Sequence, residues 1–200
     1  MSDLAVFDEH LREWAFAACA DWGYPPPDVG WFESVHARLP VGLRTEVGRG
    51  VRAGAIETVE GHRFAVVEGG KGPYSWFSRS GRGRPAPNWE YFVQVAEYTR
   101  IRSLIDGSDL RIGFEDQLMD ISVRRGNDLL WYVEVMETFA GLYELSRDLD
   151  RIGAAGIDYD VDDRGDDALR KAKLLVELRP AYFSLVGVGG RLDFSIAVDR

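Results

Sequence analysis

Cysteine, lysine and histidine are all scarce in this chain of 200 residues, and each scarcity excludes something. Cys19 stands alone, so no disulfide can form within the chain; set among Trp14, Phe16 and alanines on a helix predicted over residues 3–21, it reads as core. His10, His36 and His62 are scattered with no second His or Cys at ligand spacing, which leaves zinc without support. No apolar run is long enough to span a membrane, and residues 1–10 lack the basic start of a secretion signal, so a cytoplasmic location is the expectation. Positive charge is also in deficit. The net charge is -9, without the broad basic field of a strong nucleic-acid binder. The aspartate-rich run from Asp158 lacks glycine at the sixth position of a calcium loop and has Leu169 at the twelfth, so it reads as a solvated acidic loop.

What is present begins with two apolar runs joined by Gly126-Asn127-Asp128, each run carrying one carboxylate among hydrophobic neighbours: Asp120 in the first, Glu134 in the second. A three-residue loop pairs Arg125 with Leu129 and sets Asp120 directly opposite Glu134; a loop of two or four residues shifts Asp120 to Val133 or Val135. With the first register, Tyr132, Glu134 and Met136 share one face, and Trp131, Val133 and Val135 fill the other. Like charges directly opposed destabilise a sheet, and a divalent cation with oxygen ligands is one way to neutralise them. The plainer reading is a pair of solvent-facing carboxylates, with Arg124 as an ion-pair partner.

This hairpin resembles the metal-binding hairpin of the PD-(D/E)XK nuclease superfamily, in which a strand ending in aspartate is followed by a short turn and an apolar strand ending Glu-x-Lys. The resemblance implies an α/β fold with a mixed central sheet of the restriction-endonuclease-like αβββαβ type over residues 86–200. Its elements would be a helix over 88–105, strands near 110–115, 118–124 and 129–138, a helix near 142–152 and a strand near 181–188. Residues 1–85 would form an N-terminal α+β extension: the opening helix, a rigid turn at Tyr24-Pro-Pro-Pro-Asp28, a helical patch over 31–38, and strands over 55–58 and 63–68. The implied function is Mg²⁺- or Mn²⁺-dependent hydrolysis of phosphodiester bonds in DNA. The alternative is a non-catalytic module of the same fold that binds DNA or a protein partner in a regulatory or defence role; a homodimer is left open.

Carried over residue by residue, the resemblance makes Asp120 and Glu134 the metal ligands, with the backbone carbonyl of Val135 a third oxygen. Glu97 would reach the metal through water, with Glu115 an alternative for that role and a salt bridge to Arg100 the plain reading of Glu97. Where the family has lysine, this chain has Met136, whose thioether carries neither charge nor N–H donor. Three explanations compete: a degenerate domain, a chain in which a lysine was replaced, or a lysine supplied from elsewhere. On the helix predicted from Asp166 to Pro180, Leu169, Ala172 and Val176 form an apolar stripe with Lys173 beside it and Lys171 pointing away, which favours Lys173 as the relocated lysine, or as a side chain covering apolar surface with its stem. Nucleic-acid contacts are expected from Arg79, Arg82, Arg84 and Trp76, in a segment that also reads as a linker, and from Arg124. Glu90 needs no role beyond the positive first turn of its helix.

Overall fold

The computed structural model describes residues 1–116 and 118–196. Helix α1 (Asp3–Trp22) starts where Ser2 Oγ accepts the Ala5 N–H at 3.2 Å, and stops at Gly23, whose φ of 70° suits glycine. Its buried Phe7, Leu11, Trp14 and Ala18 recur at helical spacing. Asp28 caps α2 (Val29–Arg38) by accepting the Trp31 N–H at 2.8 Å. Helix α3 (Val41–Arg52) was not anticipated, because Gly42, Gly48 and Gly50 lower its helical propensity by roughly 1 kcal/mol each relative to alanine. Two of them are required by packing. A Cβ on Gly48 would sit 1.9 Å from the Asp3 carbonyl oxygen, and one on Gly50 would sit 2.4 Å from Thr99 Oγ1, so α3 is wedged against neighbours on both sides.

Strands β1 (Ile56–Glu60), β2 (Arg63–Val66) and β3 (Tyr74–Ser75) form a small antiparallel sheet, and β4 (Phe77–Ser78) pairs with β5 (Ala86–Pro87). The remainder runs α4 (Trp89–Ile105), β6 (Leu110–Asp116), β7 (Met119–Arg125), β8 (Asp128–Met136), α5 (Phe139–Ala155), α6 (Asp167–Leu178), β9 (Tyr182–Gly187) and β10 (Gly190–Ser195). These last strands make one mixed sheet in the order β10-β9-β8-β7-β6, with β8 and β9 parallel and the other neighbours antiparallel. The chain is therefore mixed α/β. Helix α4 covers one face of the sheet, and α5 and α6 cover the other over a second apolar cluster that includes Tyr132, Leu142, Phe183 and Leu185.

The change at residue 85 is a change of layer, and one apolar core runs across it, from Trp14, Val47 and Phe64 through Phe92 and Phe114 to Val133 and Val135. Trp76 lies at its centre with 0% exposure, stacked on Trp14, Phe64 and Phe92 with ring centroids 4.6, 4.0 and 4.7 Å away. The expectation that Trp76 stacks on bases is thereby corrected, since an indole enclosed by three rings has no free face; truncating it would cost roughly 3–5 kcal/mol.

The hairpin reaches its expected register by a different route. The turn has two residues, because Arg125 pairs with Asp128, but Arg124 then pairs with Leu129 and Val123 with Trp131, which leaves Leu130 as an extra residue on β8. Turn and bulge together restore the parity of a three-residue loop. Ile121 faces Val133, and the next step of the same register sets Asp120 across from Glu134.

Candidate functional site

Asp120 lies where the β7–β8 ladder ends. Past Ile121 and Val133 the backbone of β7 stays with β6, pairing Met119 with Asp116, and the Val135 N–H is taken up instead by Asp120 Oδ2 at 2.6 Å. Val135 thus contributes its N–H to this carboxylate, and its side chain is core. From α4, the fully buried Gln94 donates through Nε2 to the Asp120 carbonyl at 2.8 Å and to Glu115 Oε1 at 3.1 Å. Glu115 takes a φ of 52° to reach this position, a left-handed conformation that costs a non-glycine residue about 1–3 kcal/mol and that clusters at functional sites.

Glu134 is 5% exposed and fully engaged: Oε2 accepts from the Tyr132 hydroxyl at 2.6 Å, and Oε1 meets Lys171 Nζ at 2.9 Å. Lys171, itself 8% exposed, also pairs with Asp167 one turn earlier on α6. The expectation that Lys173 is the relocated lysine is overturned, and the reason is the helical face. Val176 stays 46% exposed, whereas Ala168, Ala172, Leu175 and Leu178 face the apolar cluster, and Lys171 belongs with that set. Lys173 instead donates to the carbonyls of Val161 at 2.7 Å and Tyr159 at 3.5 Å in the acidic loop. Met136, in the family's lysine position, packs against the Leu142 and Leu185 cluster.

Charge is out of balance here. Burial, and then the charges of Glu134, Glu90 and Glu115, hold the Asp120 carboxyl well above its ordinary range; burial likewise raises Glu134 against the opposing pull of Lys171 and Tyr132. Glu90 is raised by partial burial and by Glu134 and Glu115. Lys171 is pushed down by burial, but Glu134 and Asp167 outweigh that and leave its ammonium more firmly charged than usual. A cavity of about 490 Å³ opens between Glu90, Tyr91, Glu115, Asp120, Glu137 and Trp89.

Glu90 is the residue that sequence reasoning missed. An acidic residue in a first turn is common to many helices, so nothing in the string marked it; only the meeting of the α4 N-terminus with the ends of β6 and β7 does. Glu97 is corrected in the other direction. It lies two turns along α4, about 10 Å from Glu90 along the axis, and its carboxylate is held by Arg100 at 2.9 and 2.6 Å and by Arg191. Arg124 is taken by Asp116 Oδ2 at 3.2 Å, as the ion-pair reading allowed, although with Asp116 rather than Asp120 or Glu134. Arg79, Arg82 and Arg84 are exposed, in the β4–β5 connection, and Arg79 lies 6.0 Å over the Trp22 ring.

Among the described residues, no three Asp, Glu, His or Cys side chains converge tightly enough to make a metal cluster unaided. No family model matches this chain, and neither the curated proteins nor the solved structures yielded a match. No helix among the described residues is long and apolar enough to cross a membrane.

Proposed function

We propose that this chain is a metal-dependent phosphodiester hydrolase of the restriction-endonuclease-like type, acting on DNA, with Lys171 of α6 supplying the ammonium that Met136 cannot. The observation that carries this reading is the 2.9 Å contact between Lys171 and a buried Glu134 beside Asp120. The element order supports it: a helix, three antiparallel strands, helices, then a strand parallel to the third.

The donors fit Mg²⁺ or Mn²⁺ chemically. Asp120 and Glu134 would hold the ion with hard oxygens, and the buried Gln94 Oε1, which has no hydrogen-bond partner among the described residues, is a further oxygen beside Asp120. Such an ion, when bound, polarises a phosphoryl oxygen and lowers the pKa of its water. The chain's own groups divide the remaining work. Val135 N–H and Gln94 fix Asp120, and the Tyr132 hydroxyl fixes Glu134. Lys171, charged and buried, orients the attacking water and offsets charge developing on the phosphate, where a preorganised donor is worth the most. Hydrolysis forms one P–O bond and breaks another, and the proton lost by the water ends on the leaving oxygen.

The test is cleavage of plasmid and oligonucleotide DNA with Mg²⁺ or Mn²⁺, beside calorimetric titration of Mn²⁺. Metal-dependent cleavage that falls at least about a hundredfold in Lys171→Met and Glu134→Gln is the expected result. Absence of both cleavage and Mn²⁺ binding in the native chain overturns the proposal. A second reading, a non-catalytic module of the same fold, is favoured by one observation: Lys171 already neutralises Glu134, so the site is partly satisfied without a cation.

A further inference from the structure

Twenty-one arginines carry nearly all the positive charge of the chain, and most of them in the fold are spoken for by carboxylates, as Arg38 is by Glu137, Arg100 by Glu97 and Arg124 by Asp116. Among the described residues Arg79, Arg82 and Arg84 form no ion pair; Arg12, Arg111, Arg147 and Arg179 form none either, but they are scattered, whereas these three fall within six positions of one another in a protein of net charge -9. Their loop is built rather than loose: Ser80 Oγ donates to the Arg84 carbonyl and accepts the Arg82 N–H at 3.3 Å, and Tyr24 donates from α1's end to the Ser80 carbonyl at 2.9 Å.

Arg82 and Arg84 line a cavity of about 430 Å³ together with Arg38, Trp31 and Trp89. The Arg38 guanidinium carbon lies 4.4 Å from the Trp89 ring centroid, which sets a cation and an aromatic ring at one place. Pro87 and Trp89 line both this cavity and the acidic one beside Asp120, so a basic and an acidic cavity lie next to each other. Positive charge along a groove combined with stacking planes is how proteins hold an unpaired strand, phosphates on the arginines and bases on the rings.

We infer that the Arg82–Arg84–Arg38–Trp89 cavity is the binding site for a single-stranded nucleic-acid segment, whose next phosphodiester lies in the Asp120 cavity. This rests on the hydrolase reading for the position of the scissile bond and deepens it by naming the substrate form: a single strand or the frayed end of a duplex.

Fluorescence anisotropy of a labelled oligothymidylate, measured without divalent metal, tests the site apart from catalysis. Native protein and Lys173→Ala, whose side chain lies in the acidic loop and lines neither cavity, are expected to bind alike. The double variant Arg82→Glu/Arg84→Glu, on exposed positions and checked by circular dichroism and melting, should bind at least about tenfold more weakly, and its salt dependence should flatten by ~0.7 in log–log slope for each phosphate the protein no longer neutralises. Trp89→Ala should weaken binding without flattening that slope. Binding unchanged by the arginine reversal, equal or tighter binding of a same-length duplex, or displacement of the strand by polyglutamate would each overturn the inference. Strand binding that depends on the arginines, in a protein that cleaves nothing with any divalent metal, would sink the hydrolase and leave this site standing.

Discussion

Helix α4 carries two clusters of charge, and their difference separates structure from site. Toward its C-terminal half, Glu97 and Asp193 face Arg100 and Arg191, two of each sign, and the surroundings complete the set: Ser184 Oγ accepts from Trp131 Nε1 at 2.8 Å, and both arginines lie within 6 Å of the Trp131 ring centroid. Toward its N-terminus, Glu90, Glu115 and Asp120 gather near Glu134, and among the described residues the one cation paired there is Lys171, held by Glu134 and Asp167. The balanced cluster needs nothing more. The unbalanced one gathers carboxylates around a buried Glu134 and raises the proton affinity of Glu90, Asp120 and Glu134, which a fold does not retain for stability.

The largest expected effect comes from breaking the unbalanced cluster at its one cation. Lys171→Met keeps the stem and removes the charge, leaving Glu134 buried without its cation; the cost is about 3–5 kcal/mol in urea denaturation, along with loss of any hydrolytic activity. Adding Glu134→Gln should recover most of that stability and none of the activity. Recovery of neither would mean that Lys171 holds α6 by its stem rather than by its charge. Lys173→Ala serves as the contrast, since it frees only two loop carbonyls and a long ion-pair contact with Asp163 at 3.7 Å, and should leave activity within about twofold.

Next comes Met136→Lys, which separates relocation of the lysine from degeneracy. With Lys171 already on Glu134, a second ammonium meets a like charge and displaces a side chain packed against the Leu142 cluster. Activity should stay flat or fall, and stability should drop by roughly 1–3 kcal/mol. A large gain in cleavage would instead mark a site that lacked its lysine.

Asp120→Asn should do the reverse of Lys171→Met. It removes one of the crowded carboxylates and keeps an oxygen for the Val135 N–H, so the melting temperature should rise by about 2–4 °C for each ~1 kcal/mol relieved, while Mn²⁺ binding is lost. A fall in melting temperature would show that the carboxylate stabilises the fold and would weaken the contrast between the clusters.

How much of this was legible in the sequence follows from which forces set each feature. The resemblance supplied α4, β6 to β9 and α5 in their order to within a few residues, and the acidic start and following proline marked α6. Helix α3 was not readable because its glycines answer to Asp3 and Thr99, contacts that no local window contains. Asp120 opposite Glu134 was reached through a three-residue loop that does not exist; a two-residue turn and the Leu130 bulge give the same parity, and periodicity cannot tell those apart. The choice between Lys171 and Lys173 failed on a helical wheel because Val176 counted as apolar although it faces solvent. Glu90 was lost because its partners come from three separate elements.

The smallest expected effect lies in the balanced cluster, and it fixes the sign of that half of the comparison. Burial pushes the Asp193 carboxyl up, but the hydrogen bonds from Arg191 and Ser184 outweigh it and hold the group below its ordinary value. A carboxylate depressed in the folded state contributes stability that is fully present above its unfolded pKa and is lost as the pH falls through the folded one. Asp193→Asn should therefore lower stability slightly near neutrality and flatten the acid limb of the stability profile below about pH 4, where the native chain loses this contribution. It should leave Mn²⁺ titration unaltered, because the Arg191 network makes no contact with Asp120 or Glu134. A change in metal affinity on this substitution would join the two clusters into one site and remove the distinction drawn along α4.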